Sequence, residues 1–198
     1  MGKFVVVEGL DGAGTTTQSA RLVAHLEARG VAVLATREPT GRPVGQLIRR
    51  VLREEPDTPS PAALPWLFAA DRADHLASVV EPALNQRKWV VSDRYYPSSL
   101  AYQSVEQPLE RVLALNAGFR VPDLTFFLHV PVNTCLQRIG GRAHREIFEN
   151  QERLELVEAR YQAVMALLRA RGEPVIDVDG SAPVDEVAAR LAAEVDRL

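Results

Sequence analysis

Residues 3–17 read KFVVVEGLDGAGTTT, and this stretch decides the fold. Its first part, from Lys3 to Val7, is a β-branched and aromatic run without a polar interruption, which predicts a strand buried on both faces of a parallel sheet. A glycine-rich turn follows at once. Apolar residues at helical spacing then lead from Thr15 to Gly30, a glycine placed where a helix C-cap is expected. The order strand, loop, helix is therefore predicted here.

The rest of the chain continues this alternation. Further strands are predicted at Val31–Thr36, Trp89–Ser92, Leu124–Val130 and Pro174–Val178, and helices at Val44–Arg53, Leu64–Gln86 and Leu109–Gly118. Alternating strands and helices are typical of an α/β fold, in which binding sites lie at the carboxyl ends of the strands of a parallel sheet. No linker rich in serine and glycine divides the sequence. We therefore expect residues 1–198 to form a single domain with a five-stranded parallel sheet flanked by helices.

The composition excludes several classes of protein. Hydrophobic residues make up 46% and charged residues 25% of the 198 residues, which disfavours disordered and coiled-coil chains. The formal net charge of -3 predicts no nucleic-acid polymer as a partner. No apolar run approaches the roughly 18 residues of a membrane span, so no membrane partner is expected. The single cysteine, Cys135, cannot form an internal disulfide, and a cytoplasmic protein is predicted.

The turn at residues 9–16 has the spacing of a P-loop, with a glycine, four residues and a second glycine between a strand and a helix. Such a loop directs backbone N–H groups and a helix N-terminus at one point, and it binds a polyphosphate such as ATP. Thr16 stands where a hydroxyl would bind Mg²⁺. Thr15 occupies the position at which the pattern has a lysine. A purely structural glycine turn is the alternative interpretation.

A second polar cluster follows the strand predicted at 89–92. Asp93 and Arg94 come at its carboxyl end, where Asp93 could hold Mg²⁺ through water and Arg94 could clamp a phosphate. A structural ion pair explains the two residues equally well. The segment Thr36–Gly41, which contains Arg37, repeats this arrangement after the preceding strand and indicates little by itself.

A third cluster consists of arginines around a Gly-Gly pair. Arg138, Arg142 and Arg145 surround this pair and predict a basic lid at about residues 138–149. Arginines that close over a triphosphate exclude water and neutralise the charge that develops in phosphoryl transfer. A solvated basic loop is the alternative interpretation.

Together these motifs resemble the thymidylate kinases, a family of P-loop nucleoside monophosphate kinases, over nearly the whole chain. The resemblance rests on the order and spacing of six segments: Gly9–Thr16, Arg37-Glu38-Pro39, LFAADR at 67–72, Asp93-Arg94-Tyr95, Tyr102-Gln103 and VPDL at 121–124. It implies a three-layer P-loop NTPase fold with a short lid. It also implies a homodimeric enzyme that uses ATP and Mg²⁺ to phosphorylate thymidine monophosphate (dTMP) to dTDP, in dTTP biosynthesis.

The resemblance further implies roles for individual residues. ATP phosphates would lie on the loop formed by Gly9, Leu10, Asp11, Gly12, Ala13, Gly14, Thr15, Thr16 and Thr17, with Arg138 nearby. The acceptor dTMP would contact Asp11, Arg37, Phe68, Arg72, Arg94, Ser98, Ser99, Tyr102 and Gln103. Arg37 and Arg94 would grip the monophosphate, while Phe68 would stack on thymine. Arg72 would bond the base edge, and Tyr102 would pack against the deoxyribose and leave no room for a 2′-hydroxyl. Thr16 and Asp93 would hold Mg²⁺.

The resemblance also implies which residues supply the positive charge needed for catalysis. The family has two arrangements, one with a basic residue inside the P-loop and one with glycine there and arginines in the lid. Gly12 with Arg142 and Arg145 matches the second arrangement. The lid arginines would then stabilise the transition state, with Arg94 and Asp11 as the other catalytic residues.

Thr15 keeps the backbone donors of the loop but removes a positive charge from the bridging phosphates. Loss of one preorganised donor slows the chemical step by roughly 10²–10³-fold unless another group compensates. Three interpretations are open. The lid arginines and Mg²⁺ replace the lysine in a natural variant; the threonine is an introduced or recent change in an otherwise normal enzyme; or the chain binds nucleotides without catalysis. A deoxynucleoside kinase is a further alternative, for which Asp11 and Glu38 are the candidate bases.

Overall fold

Five strands form the central sheet in the computed structural model, which describes residues 2–140 and 151–198. They are β1 (Phe4–Gly9), β2 (Val33–Arg37), β3 (Trp89–Asp93), β4 (Leu124–His129) and β5 (Val175–Asp179). Neighbouring strands are parallel, in the order β2-β3-β1-β4-β5. The α/β fold with a five-stranded parallel sheet that the sequence predicts is confirmed.

Helices and short helical turns connect the strands. The helices are α1 (Thr15–Ala28), α2 (Pro43–Leu52), α3 (Leu64–His75), α4 (Glu81–Asn85), α5 (Tyr96–Gln103), α6 (Leu109–Asn116), α7 (Val132–Ile139), α8 (Gln151–Ala170) and α9 (Val184–Val195). A 3-10 turn, Pro61–Ala63, precedes α3, and a π-helical turn, Leu76–Val80, lies between α3 and α4. α5 packs against α8, and α1 packs against α9.

β1 lies at the centre of the sheet, as its uninterrupted apolar run predicts. Its first four residues, 4–7, are completely buried, and the strand pairs with β3 on one side and β4 on the other. In this register Val7 lies opposite Asp93, and Gly9 lies opposite Leu128. The glycine-rich loop after β1 and the Asp93-Arg94 pair after β3 therefore reach the same edge of the sheet, which is the edge where α/β proteins bind ligands.

The helix predicted over Leu64–Gln86 is interrupted by the π-helical turn at Leu76–Val80. Pro82 follows two residues later. A proline has no N–H to donate, and in an α-helix its ring collides with the carbonyl four residues earlier. The wider π-helical turn relieves that collision. The prediction missed it because the apolar spacing continues across this segment.

Two arginines of the predicted lid, Arg142 and Arg145, lie outside the described residues. Arg138, at the beginning of the predicted lid, belongs to the last turn of α7. Among residues 2–140 and 151–198, no helix is long and apolar enough to cross a membrane.

Candidate active site

The loop between β1 and α1 is shaped by two glycines with positive φ. Gly12 has φ 84° and Gly14 has φ 95°, a backbone region that favours glycine. A Cβ atom on Gly12 would lie 2.5 Å from the carbonyl oxygen of Cys135 in α7, so the loop packs directly against that helix. Gly14 has open space around it, and α1 begins at Thr15. The N-terminus of α1 therefore faces the loop, an arrangement that binds phosphate groups.

A cavity of about 660 Å³, including its open mouth, lies at this loop. Seven of the predicted ATP-binding residues are in its lining, which consists of Asp11, Gly12, Gly14, Thr15, Thr16, Thr17, Arg94 and Arg138. Arg138 reaches it from α7, where its Nη1 donates to the carbonyl oxygen of Gly12 at 3.3 Å. The structure thus brings the loop, the helix N-terminus and one arginine to a single opening.

No lysine replaces the one missing at position 15. The sequence has two lysines, Lys3 and Lys88, and each stands just before the first residue of a strand. They therefore lie at the amino ends of the parallel strands, opposite the edge that carries the loop. Thr15 itself is 6% exposed and lines the cavity. Among the described residues, Arg94 and Arg138 are the cationic side chains of this cavity.

The predicted magnesium ligands, Thr16 and Asp93, lie side by side. The Thr16 hydroxyl donates to Oδ2 of Asp93 at 2.5 Å. The other carboxylate oxygen, Oδ1, is buried and has no hydrogen-bond partner among the described residues. A hydroxyl and a carboxylate with a free oxygen fit the oxygen ligands that Mg²⁺ prefers. No group of three or more His, Cys, Asp or Glu side chains suited to a metal occurs within residues 2–140 and 151–198.

A second cavity, of about 480 Å³ including its mouth, adjoins the first. Twelve residues line it: Asp11, Glu38, Pro39, Leu52, Phe68, Arg72, Arg94, Tyr95, Ser98, Ser99, Tyr102 and Gln103. Eight of the nine residues predicted to bind dTMP are among them. The ninth, Arg37, is exposed at the carboxyl end of β2 and does not line the cavity, although it lies opposite Asp93 in the sheet. Asp11 and Arg94 line both cavities.

Arg94 is fixed at the boundary between the two cavities. Its backbone has φ 72°, a strained value for a residue other than glycine. Its Nη2 donates to Oδ1 of Asp11 at 2.7 Å, and its guanidinium lies 5.3 Å from the ring centre of Tyr102. Burial opposes the charge, but neighbouring Tyr102 and Asp11 hold the pKa of Arg94 well above its ordinary value. The site therefore contains a permanent positive charge in a fixed position.

Asp11 is fixed by Tyr102 as well as by Arg94. The Tyr102 hydroxyl donates to Oδ2 of Asp11 at 2.8 Å and accepts from the Asp11 backbone N–H at 3.0 Å. Burial next to this carboxylate raises the pKa of Tyr102 well above its ordinary value, so the phenol stays protonated. The carboxylate at the junction of the two cavities thus keeps one orientation.

Arg72 forms the inner wall of the second cavity and is 1% exposed. Its guanidinium pairs with Glu38 at 2.7 Å, donates to Ser99 at 3.0 Å and donates to the side chain of Asn116. A buried guanidinium is stable only when its N–H groups are paired in this way. Gln103 differs, because its buried Oε1 has no hydrogen-bond partner among the described residues. The cavity therefore offers aromatic surface and polar groups suited to a planar base.

Comparison with known proteins agrees with this geometry. The family model described as thymidylate kinase matches residues 7–191. The chain belongs to the thymidylate kinase family. A thymidylate kinase of a Psychrobacter species is 36% identical over 96% of this chain and 95% of its own length. One from Leifsonia xyli is 39% identical over 98% and 95%. A putative thymidylate kinase of Aeropyrum pernix is 42% identical over 90% and 86%.

Membership of the thymidylate kinase family confirms the resemblance predicted from the sequence. The chain is therefore a kinase, and ATP is the phosphate donor of this family. The comparisons do not favour the two alternatives, a deoxynucleoside kinase and a nucleotide-binding protein without catalysis.

One residue of this thymidylate kinase site escaped the sequence predictions. Glu8 is completely buried beneath Arg94, where its Oε1 accepts from the Tyr95 backbone N–H at 2.8 Å and its Oε2 accepts from Ser98 at 2.5 Å. Burial raises the pKa of Glu8 to about 7. The signal that could have found it is a carboxylate inside an apolar central strand, directly before the first glycine of the loop.

Proposed function

We propose that this chain transfers the γ-phosphoryl group of ATP to dTMP, which gives ADP and dTDP and supplies dTTP biosynthesis. The observation that carries the proposal is the shared boundary of the two cavities. Asp11 and Arg94 line both of them, so a nucleotide in each would have its phosphates next to the same fixed pair of charges. Phosphoryl transfer needs this placement of donor and acceptor more than it needs covalent chemistry by the protein.

We assign the donor phosphates to the loop of residues 9–17, with Arg138 beside them. The backbone N–H groups of the loop and the N-terminus of α1 would bind the β- and γ-phosphates without a lysine. Support comes from the open space at Gly14 and from the cavity lined by Thr15, Thr16 and Thr17.

We assign the acceptor monophosphate to Arg94, which the ion pair with Asp11 holds at the boundary. Arg37 is a second ligand in this proposal, supported by its place opposite Asp93 in the sheet. An oxygen of the dTMP phosphate attacks the γ-phosphorus of ATP, and the bond from that phosphorus to the bridging oxygen of ADP breaks. The acceptor oxygen is already anionic, so no carboxylate base is needed.

We assign the nucleoside to the inner part of the second cavity. Phe68 and Tyr102 would contact thymine and deoxyribose with their rings. Arg72 and Gln103 would bond the base edge, and Ser98 and Ser99 lie in the same wall. The unpartnered Oε1 of Gln103 supports this assignment, because a buried carbonyl oxygen without a partner is costly until a ligand donates to it.

We propose that Thr16 and Asp93 hold Mg²⁺, which when bound would neutralise charge on the transferred phosphate. The protein's part would be to hold the Thr16 hydroxyl next to the Asp93 carboxylate, whose Oδ1 has no other partner among the described residues. We expect Asp93→Asn to raise the Mg²⁺ concentration needed for half-maximal activity by about tenfold or more. Asp74→Asn, which alters a carboxylate paired with Arg42 outside both cavities, should leave it unchanged.

We also propose that residues 1–198 form one catalytic domain whose lid, at about 138–149, brings Arg142 and Arg145 to the transferring phosphate. A homodimer in the cytoplasm completes the proposal, on the resemblance to the family. Light scattering on the purified chain would test the dimer.

The decisive experiment mixes the full chain with ATP, Mg²⁺ and either dTMP or thymidine, and separates the products by chromatography. We expect ADP and dTDP in equal amounts with dTMP, and no ADP above background with thymidine. Phosphorylation of thymidine alone would support the deoxynucleoside kinase instead. Binding of both nucleotides without any ADP would support a non-catalytic protein.

A further inference from the structure

Tyr161 reaches the acceptor site from α8, a part of the chain to which neither the sequence motifs nor the proposed function gives a role. Its hydroxyl lies 3.0 Å from Oε2 of Glu8, 2.7 Å from Oγ of Ser98 and 3.2 Å from Nη1 of Arg94. The side chain is completely buried. Tyr161 lines neither cavity, so it acts on a ligand there only through other residues.

Two neighbouring aromatic rings fix the position of this hydroxyl. The Tyr161 ring stacks on Phe127, with 5.1 Å between ring centres and 27° between the planes. It meets Tyr102 edge-on, at 5.9 Å and 89°. A ring held on two sides in this way has one orientation. The phenol oxygen therefore stays between Glu8 and Arg94.

The direction of the hydrogen bonds follows from the groups at either end. A guanidinium only donates, so the Tyr161 hydroxyl accepts from Nη1 of Arg94. Its own proton is directed at Oε2 of Glu8 or at Oγ of Ser98, which lie 3.0 Å and 2.7 Å away. Ser98 makes the same bridge, since its Oγ donates to Oε2 of Glu8 at 2.5 Å and accepts from Nη1 of Arg94 at 3.1 Å. Two parallel hydroxyl bridges thus connect the buried carboxylate to one nitrogen of the arginine.

The other end of the guanidinium is held separately. Nη2 of Arg94 donates to Asp11 at 2.7 Å, so the two terminal nitrogens have different anchors on different elements. Anchors at both nitrogens fix the plane of the guanidinium, which decides whether it can bind two oxygens of a phosphate at once. Removing one anchor leaves the charge in place but frees its orientation.

We propose that Tyr161 is a positioning residue for the acceptor phosphate, which together with Glu8 and Ser98 fixes the plane of Arg94. This inference rests on the proposed function, because it assigns a phosphate to Arg94. It predicts that loss of the Tyr161 hydroxyl weakens recognition of the phosphate and leaves recognition of the nucleoside intact. We expect an effect of roughly tenfold, the size of one hydrogen bond to a charged group.

The test compares binding of dTMP and of thymidine to the full chain by titration calorimetry. Tyr161→Phe keeps the ring and removes only the hydroxyl, and we expect its Kd for dTMP to rise about tenfold with no change for thymidine. Tyr96→Phe is the matched control, because Tyr96 is a buried tyrosine of α5 whose hydroxyl donates to Glu173 and which lines neither cavity. It should change neither affinity.

If Tyr161→Phe weakens the binding of dTMP and of thymidine equally, Tyr161 has a merely structural role and the inference is overturned. Unchanged dTMP binding would overturn it too. If the unaltered chain binds thymidine as tightly as dTMP, the proposed function fails and the inference fails with it. That result differs from the first two, in which the unaltered chain still prefers dTMP.

A second variant tests the bridge from its other end. The Tyr95 N–H needs an acceptor at Oε1, so in Glu8→Gln the amide NH₂ would face Ser98 and Tyr161. Both hydroxyls would then accept from position 8 as well as from Arg94, and their own protons would lose the carboxylate acceptor, which loosens the bridge. We expect a similar loss of dTMP affinity, and no additional loss when Glu8→Gln is combined with Tyr161→Phe. If the double variant instead loses dTMP affinity by the product of the two single losses, the two residues act independently, which would contradict the bridge.

Discussion

Two regions of the site meet at Asp11 and Arg94 and present polar groups in different ways. The donor loop is the loop of residues 9–17, and the acceptor cavity is the second cavity, the one that includes Phe68 and Arg72. The loop relies on backbone N–H groups and a helix N-terminus, and it has threonine where its sequence pattern has lysine. The acceptor cavity relies on charged side chains, each held by a partner of opposite charge, such as Arg72 by the buried Glu38 and Arg94 by the half-buried Asp11. Backbone donors survive a side-chain change, whereas a network of paired charges is disrupted when one member is lost.

The largest effect should come from breaking the acceptor network at Arg94. Arg94→Ala removes the charge assigned to the dTMP phosphate and leaves Asp11 without its ionic partner. We expect kcat/KM for dTMP to fall by about 10³-fold or more, because a preorganised charge in a water-poor site is lost. Steady-state kinetics at saturating ATP would measure it.

Arg42→Ala is the matched control for this change. Arg42 also pairs with an aspartate, Asp74, but both side chains are more than 30% exposed and lie outside the two cavities. Solvent-exposed ion pairs contribute little to stability, so we expect Arg42→Ala to leave kcat/KM for dTMP nearly unchanged. A similar fall in both variants would mean that general loss of structure, rather than phosphate recognition, explains the result.

The next effect concerns the stability of the same network. Burial raises the pKa of Glu8 from 4.5 to about 7, so the folded protein binds this proton more tightly than the unfolded chain does. The contribution of Glu8 to stability is therefore complete below pH 4.5 and is lost as the pH rises to about 7. Between about pH 4 and pH 8, wild type should lose about 3 kcal/mol relative to Glu8→Gln, as measured by urea unfolding.

Glu81 provides a comparison of opposite sign. A hydrogen bond from Arg120 lowers the pKa of this carboxyl. The contribution of Glu81 to folding stability is therefore present above the ordinary pKa of a glutamate and is lost as the pH falls. Wild type should therefore gain stability relative to Glu81→Gln over the same increase in pH. Parallel slopes for the two variants would contradict the burial of Glu8.

Substitution of two glycines in the donor loop should change folding stability by different amounts, and this difference is the smallest effect we expect. Both have positive φ, but a Cβ on Gly12 would strike the Cys135 carbonyl at 2.5 Å, whereas a Cβ on Gly14 would meet nothing within 4 Å. Gly12→Ala should therefore destabilise the protein by about 2 kcal/mol more than Gly14→Ala, because only the first adds a collision to the backbone strain. Thermal unfolding of the two variants would show the difference. Equal destabilisation would mean that the loop is not packed on α7.

The sequence predicted the fold and the glycine-rich loop because their signals are local, whereas the residues of the second cavity were implied by the resemblance to the thymidylate kinases. The apolar run of β1 and the glycine spacing after it are read from adjacent residues, and they predicted the strand and the loop at the edge of the sheet. Eight of nine predicted dTMP-binding residues line one cavity. The segment Tyr96–Gln103 was not predicted as a separate helix, and its Tyr-Pro-Ser-Ser beginning has little helical spacing to reveal it.

Contacts between distant residues were beyond prediction. Tyr161 lies 153 positions after Glu8, and nothing in the helical spacing of α8 distinguishes it from an ordinary core residue. Arg72 was predicted to bond a base edge, but its Nε and both of its terminal nitrogens are engaged by Glu38, Asn116 and Ser99. Its role toward the base remains a prediction. Periodicity shows that such a residue is buried, but it does not show which partner it meets.

In the proposed mechanism backbone donors and arginines do the work of the missing lysine, while the acceptor cavity keeps its full charge network. The rate of dTDP formation by the unaltered chain and by Thr15→Lys, at saturating ATP and dTMP, would test this. We expect the unaltered chain to be active and the lysine to change kcat by less than about tenfold. An inactive chain whose activity appears only in Thr15→Lys, a gain of at least about 10²-fold, would contradict this mechanism.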